Sequence, residues 1–201
     1  MQQSEFSRGI PEVSVLTEPW FGILASRKRE LIRNGGRMIV TVFGGSAAQQ
    51  DSPVWKHSYR IGREVANHNG IIISGGYGGV MEAASQGARE AEGSAIGVTC
   101  HNLMGNEPNP YVDHIWDLDR WDQRLLALIW LSDAYVVMPG SSGTLVELSM
   151  AIETQNKGFI PKRKIVCFTR YWEAVVKRIE GSQDIVHFSR STVETVKLVM
   201  S

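Results

Sequence analysis

The chain has 201 residues, 43% hydrophobic and 21% charged, with 21 basic and 21 acidic side chains and a net charge of zero. That is enough chain for one domain with a sizeable core. The charge balance excludes the bulk basic footprint of a duplex binder, and with no apolar stretch of spanning length the pattern disfavours a membrane protein. The two cysteines, Cys100 and Cys167, make no disulfide framework; buried thiols in a reducing compartment are expected. The N-terminus lacks an apolar signal core, so the cytoplasm is the expected location.

Residues 1–22 carry two prolines and read as an irregular arm, with a single domain following over 23–201. The spacing predicts a helix over 23–34, ended by Gly35-Gly36. Met38–Phe43 is an apolar, β-branched run and predicts a strand, and FGGSA (43–47) closes it. Asp51 or Ser52 before Pro53 is a helix-start signal, with the helix running to about His68. Ile71–Ile73 predicts a short buried strand, followed by the glycine cluster Gly75-Gly76-Tyr77-Gly78-Gly79 and a helix over 80–91. A strand over 95–100 leads into the polar loop HNLMGNEPNPYVD and an extended HIWDL piece. A helix over 121–131, a strand over 134–138, a helix over 144–156, a strand over 164–168 and a helix over 171–179 follow. The last segment holds a short IVHF strand and a helix from Thr192.

Short apolar strands alternating with helices predict an α/β fold, a three-layer Rossmann-like parallel sheet with helices on both faces. Right-handed crossovers then gather the strand ends at one edge, where ligands of such sheets bind. Three glycine loops meet there: FGGSA, GGYGG and PGSSG. Glycine permits close approach of a ligand to backbone, and a helix's first turn leaves N–H groups that favour an anion. Gly75, Gly76, Gly78 and Gly79, with Gly140, Ser141, Ser142, Gly143 and Thr144, are therefore the candidate phosphate seat. A Walker loop is absent, as is the GxGxxG fingerprint after the first strand.

Glu147 lies one turn into the helix after the PGSSG loop, away from the phosphate and beside a position for a sugar that gains positive charge during reaction. Glu82 holds the matching place after GGYGGVM and can accept bonds from sugar hydroxyls. Arg124, near the start of the 121–131 helix, is a candidate to grip the ligand or orient an acid. Met81, Tyr77 and Tyr111 are candidates to line a sugar or base pocket, and His101 follows a strand end near it. No HExxH, cysteine–histidine pair or GxSxG signals a metal or a serine nucleophile.

SGGYGGVMEAASQGA and MPGSSGTLVELSMAIETQ resemble the two motifs of the LOG-type phosphoribohydrolases, formerly labelled lysine decarboxylase-like. Pro139, Gly140, Gly143, Thr144 and Glu147 match the family's PGGxGTxxE, with Ser141 in place of the second glycine. NEPNPYVD (106–113) and YWEAVV (171–176) also resemble family segments. The resemblance implies a Rossmann-like fold, a homodimer, no cofactor, and hydrolysis of the N-glycosidic bond of nucleoside 5′-monophosphates, cytokinin ribosides among them, to free base and ribose 5-phosphate. It implies essential roles for Glu147 and for an arginine upstream of the 134–138 strand, which by position is Arg124. The same superfamily includes non-hydrolytic carriers of the molybdenum cofactor. The changed residue Ser141 is where the two activities are expected to part.

Overall fold

The computed structural model describes residues 19–33, 38–101 and 107–201. Among these described residues are seven strands, β1 (Ile39–Phe43), β2 (Ile71–Ser74), β3 (Ser94–Cys100), β4 (His114–Leu118), β5 (Ala134–Val137), β6 (Ile165–Phe168) and β7 (Val186–Ser189). Its helices are α1 (Pro19–Arg33), α2 (Pro53–Asn67), α3 (Val80–Glu90), α4 (Trp121–Leu131), α5 (Ser142–Asn156), α6 (Glu173–Val176) and α7 (Thr192–Val199). The expected arm falls outside the described residues up to residue 18, and α1 begins at Pro19, earlier than the spacing suggested.

All seven strands run parallel in one sheet of order β4-β3-β2-β1-β5-β6-β7. β1, β2, β5 and β6 are buried along their whole length, as expected for strands covered on both faces. On one face, Ile39, Phe43, Ile73 and Val137 pack with Leu128 of α4 and Leu148 and Ile152 of α5. On the other, Val40, Val42, Ile72 and Val136 pack with Ile61 and Val65 of α2, Val80 and Ala84 of α3, and Val196 of α7. The alternation along β1 thus sorts its side chains into two cores.

The expected 171–179 helix is shortened to α6. After Val176 the bonds tighten to three-residue turns, Arg178 to Val175 and Ile179 to Val176, and Gly181 leaves at φ 75°. Asp133 fixes the other end of the sheet: its Oδ2 accepts from the Ile39 amide at 3.0 Å and its Oδ1 from Lys28 of α1 at 2.6 Å.

Candidate phosphate-binding site

The strand order reverses between β1 and β5, and the loops leaving β2, β1 and β5 converge beside that point. Backbone bonds tie them together. Gly45 N donates to Pro139 O at 3.1 Å, and Val80 N donates to Gly45 O at 3.1 Å. Gly79, at φ 65°, turns the chain into α3 directly against Gly45 O and Ser46 O, where a Cβ would collide. The three loops separated in sequence are therefore one surface.

The helices leaving this surface have unused first-turn amides. α5 begins after Ser141, whose carbonyl accepts from Leu145 N at 3.0 Å but whose hydroxyl makes no capping bond. Among the described residues, nothing accepts from the amides of Ser142, Gly143 and Thr144. α3 begins after Gly79, which has no side chain to cap it, and the amides of Met81 and Glu82 are likewise open. Two helix starts with free N–H groups make an anion seat without a lysine. Ser142 and Gly143 are exposed, and a Cβ on Gly143 would meet nothing within 4 Å. Thr144 is buried, its hydroxyl packed against Gly140.

Ser141 sits at φ −108°, ordinary extended backbone, so the serine is unstrained where the motif has glycine. It is exposed and lines a cavity of about 400 Å³ on the β1–β5 switch, together with Gly45, Ser46, Pro139 and Tyr171. The Tyr171 hydroxyl donates to Gly140 O at 3.0 Å and steadies this loop. Tyr171 was legible only as part of YWEAVV, with no sign of that contact.

Arg124 is buried, with 7% of its surface exposed. Its Nε donates to Val98 O at 2.8 Å and its Nη2 to Gly75 O at 3.2 Å, and the guanidinium lies 5.3 Å from the centre of the Tyr77 ring. A Cβ at Gly75 would fall on Nη2, so the first glycine of the cluster makes room for this side chain. Nη1 has no hydrogen-bond partner among the described residues. Glu147 is half-buried and near enough for Arg124 to influence it, yet too far for an ion pair. Burial pushes its carboxyl up to about 7, and the Arg124 charge opposes that rise.

The other sequence candidates are distributed around this pair. Met81 is buried, with its sulfur against Gly75; Glu82 turns a carboxylate oxygen toward Gly78. Tyr77 is buried, and its hydroxyl accepts from Cys100 N at 3.0 Å, bracing the end of β3. The Tyr111 amide donates to Asn109 Oδ1 at 3.1 Å. Asn109 escaped the sequence reading. Buried in the loop before β4, it donates from Nδ2 to Gly76 O and Tyr77 O, both at 3.0 Å, and so clamps the glycine cluster. The NPY stretch is a turn signal, but its partner is distant in sequence. Among the described residues, no group of three or more His, Cys, Asp or Glu side chains is placed to hold a metal ion, and no helix is long and apolar enough to cross a membrane.

Residues 37–195 match the model of the SLOG cluster4 family (LDcluster4). The chain belongs to this family. It is 28% identical over 161 residues to the probable cytokinin riboside 5′-monophosphate phosphoribohydrolase LOGL9 of Oryza sativa subsp. japonica, covering 79% of this chain and 67% of that protein. Among solved structures, the molybdenum cofactor binding protein of Rippkaea orientalis superposes with a TM-score of 0.68 at 25% identity, over 82% of this chain and 98% of that one. The molybdenum cofactor carrier protein of Chlamydomonas reinhardtii shares the fold, with a TM-score of 0.64 at 24% identity over 83% of this chain and 97% of that one. The SLOG cluster4 chain is thus linked at family level to phosphoribohydrolases and structurally to cofactor carriers.

Proposed function

We propose that this SLOG cluster4 protein holds a small phosphate-bearing ligand across the starts of α3 and α5 and acts as a binding or carrier protein, with a molybdenum-cofactor-like molecule as the model cargo. The observation that carries this reading is the pair of open helix starts, stitched together through Gly45. Gly75, Gly76, Gly78, Gly79 and Gly140–Thr144 supply the seat. The likeness to the Rippkaea orientalis protein, spanning nearly all of that chain, supports the carrier reading. So does Arg124, which spends two of its nitrogens on the fold.

A second reading, cleavage of a nucleoside 5′-monophosphate to base and ribose 5-phosphate, is favoured by Glu147. A carboxyl raised to about 7 beside an anion seat suits proton transfer near neutral pH. There Glu147, with Glu82, would stabilise an oxocarbenium-like sugar and activate water at C1′, while Arg124 holds Glu147's surroundings. Met81, Tyr77 and Tyr111 would border the sugar and base.

Native mass spectrometry of the purified protein, paired with a base-release assay on a nucleotide panel, separates the two. The carrier reading expects a retained phosphate-bearing molecule and no base release. Base release that Glu147→Gln abolishes would overturn it in favour of hydrolysis. We further propose a cytoplasmic homodimer. The buried free thiols of Cys100 and Cys167 suit that compartment, and exposed Trp121 and Val146 are apolar surface that pairing would cover. Light scattering at micromolar concentration reads the mass.

A further inference from the structure

Where β3 and β4 end, three polar side chains form a cluster that neither proposed activity uses. Thr99 and Asp117 face each other in register across the two strands. Thr99 Oγ1 donates to Asp117 Oδ1 at 2.6 Å, and His101 Nδ1 lies 3.1 Å from Asp117 Oδ2. The Asp117 side chain keeps 42% of its surface exposed. The cluster lines a cavity of about 230 Å³ with Tyr77, Pro108 and Ile115. Ile115 is 50% exposed, so the cavity offers apolar wall as well as a fixed carboxylate.

This cavity adjoins the phosphate seat through Tyr77. That residue sits in the glycine cluster, three positions before the first residue of α3, and its ring contacts Arg124. Three residues of chain span at most about 10 Å, so the start of α3 lies no farther than that from the Tyr77 backbone beside the cavity.

A carboxylate has about four lone-pair sites, and two are in use here. The remainder suit two parallel N–H donors, as in a carboxylate–guanidinium pair. Among fused nitrogen heterocycles, guanine-type rings present such an edge, a ring N–H next to an exocyclic amino group. An adenine-type edge would set a ring lone pair against the carboxylate, and hypoxanthine lacks the amino group. The geometry points to Asp117 as the specificity residue for a guanine-type heterocycle carried by the phosphate ligand, with Thr99 and His101 holding its carboxylate in place. This inference rests on the phosphate seat proposed above.

The test is equilibrium titration of the full chain with guanosine, inosine and adenosine 5′-monophosphates and with ribose 5-phosphate. Chromatography checks that the nucleotides stay intact; if base is released, the same ratios are read from initial-rate kcat/KM. The guanine nucleotide is expected to bind at least ~10-fold tighter than the hypoxanthine one, about the worth of one good hydrogen bond. Asp117→Asn is expected to erase that difference while leaving ribose 5-phosphate binding unchanged. Equal affinities for the two nucleotides in the unmodified protein, with ribose 5-phosphate bound, would overturn the specificity assignment and leave the seat standing. A guanine preference that survives Asp117→Asn would do the same. Failure of ribose 5-phosphate to bind would overturn the seat, and the inference with it. The nucleotide comparison needs no variant, so a misfolded Asp117→Asn protein cannot hide the answer.

Discussion

The helices of this protein begin in two ways. α2 and α7 are closed by serines: Ser52 accepts from the Trp55 amide at 3.2 Å, and Ser191 from the Glu194 amide at 3.5 Å. α3 and α5 are left open, although α5 too is preceded by a serine. α4 also lacks a side-chain cap; the carboxylate of Asp122 in its first turn accepts from Arg120 instead. Helix amides need partners. Where a side chain supplies them, the start is a structural joint; where none does, the start is available to an anion. The open starts of α3 and α5 meet at one surface, the reversal of strand order.

Six substitutions, in four groups, bear on that contrast. The largest effect is expected at Gly79→Ala. It places a Cβ at positive φ and against the Gly45 and Ser46 carbonyls, for a loss of about 3 kcal/mol from backbone strain and overpacking together. Urea unfolding measures it, and a loss below about 1 kcal/mol would mean that the loops are not locked as described.

Next is Glu147→Gln. Folding lifts this carboxyl from 4.5 to about 7, so between those values the folded chain holds a proton that the unfolded chain has lost. Stability from this group is therefore undiminished below pH ~4.5, falls as pH rises through the window, and is lowest above ~7. The full shift corresponds to about 3 kcal/mol, an upper figure for a half-buried group. The glutamine protein is expected to melt higher than the parent at pH 8 and nearly alongside it at pH 4. Melting curves that run parallel across that range would refute the desolvation of Glu147. If the protein cleaves nucleotides with Glu147 as base, the rate rises with pH through about 7.

Ser52→Ala and Ser191→Ala should each cost about 1 kcal/mol, the usual worth of a cap. Ser141→Ala should cost no more than a few tenths, because its hydroxyl caps nothing. Equal losses at all three would erase the distinction between closed and open starts. The smallest stability effect is expected at Gly143→Ala. Its added methyl meets open space in a helix that favours alanine over glycine by up to about 1 kcal/mol. The variant should be as stable as the parent or slightly more so, yet bind ribose 5-phosphate more weakly. Unchanged binding would move the phosphate away from α5.

The layered fold was legible because short apolar strands and glycine-ended helices recur in order. Pro53 after Ser52 marked its helix start directly. Helix 171–179 was overread because its pattern continues after the bonding has tightened, and Gly181 ends the run only later. In the site, the glycine loops and Glu147 stood out because each lies beside a helix start. The grip of Asn109 on Gly76 and the cluster of Thr99 with Asp117 did not. Both depend on which strands become neighbours, and local spacing does not carry that information. Tyr77 stood out as a candidate for the sugar or base pocket, but the bond of its hydroxyl to the end of β3 did not. Ser141 stood out as the replacement of a motif glycine, but its ordinary φ is legible only in the structure.

The passage of Arg124 beneath Gly75 makes these two positions interdependent. A methyl at residue 75 collides with Nη2 only while the arginine is there. Gly75→Ala should therefore be damaging in the parent and milder once Arg124 is shortened, so the two losses will not add. A change of activity caused by either substitution alone reports on the shape of the loop together with the chemistry of the site. The two behave as a single mechanical part assembled from the loop after β2 and the helix after β4.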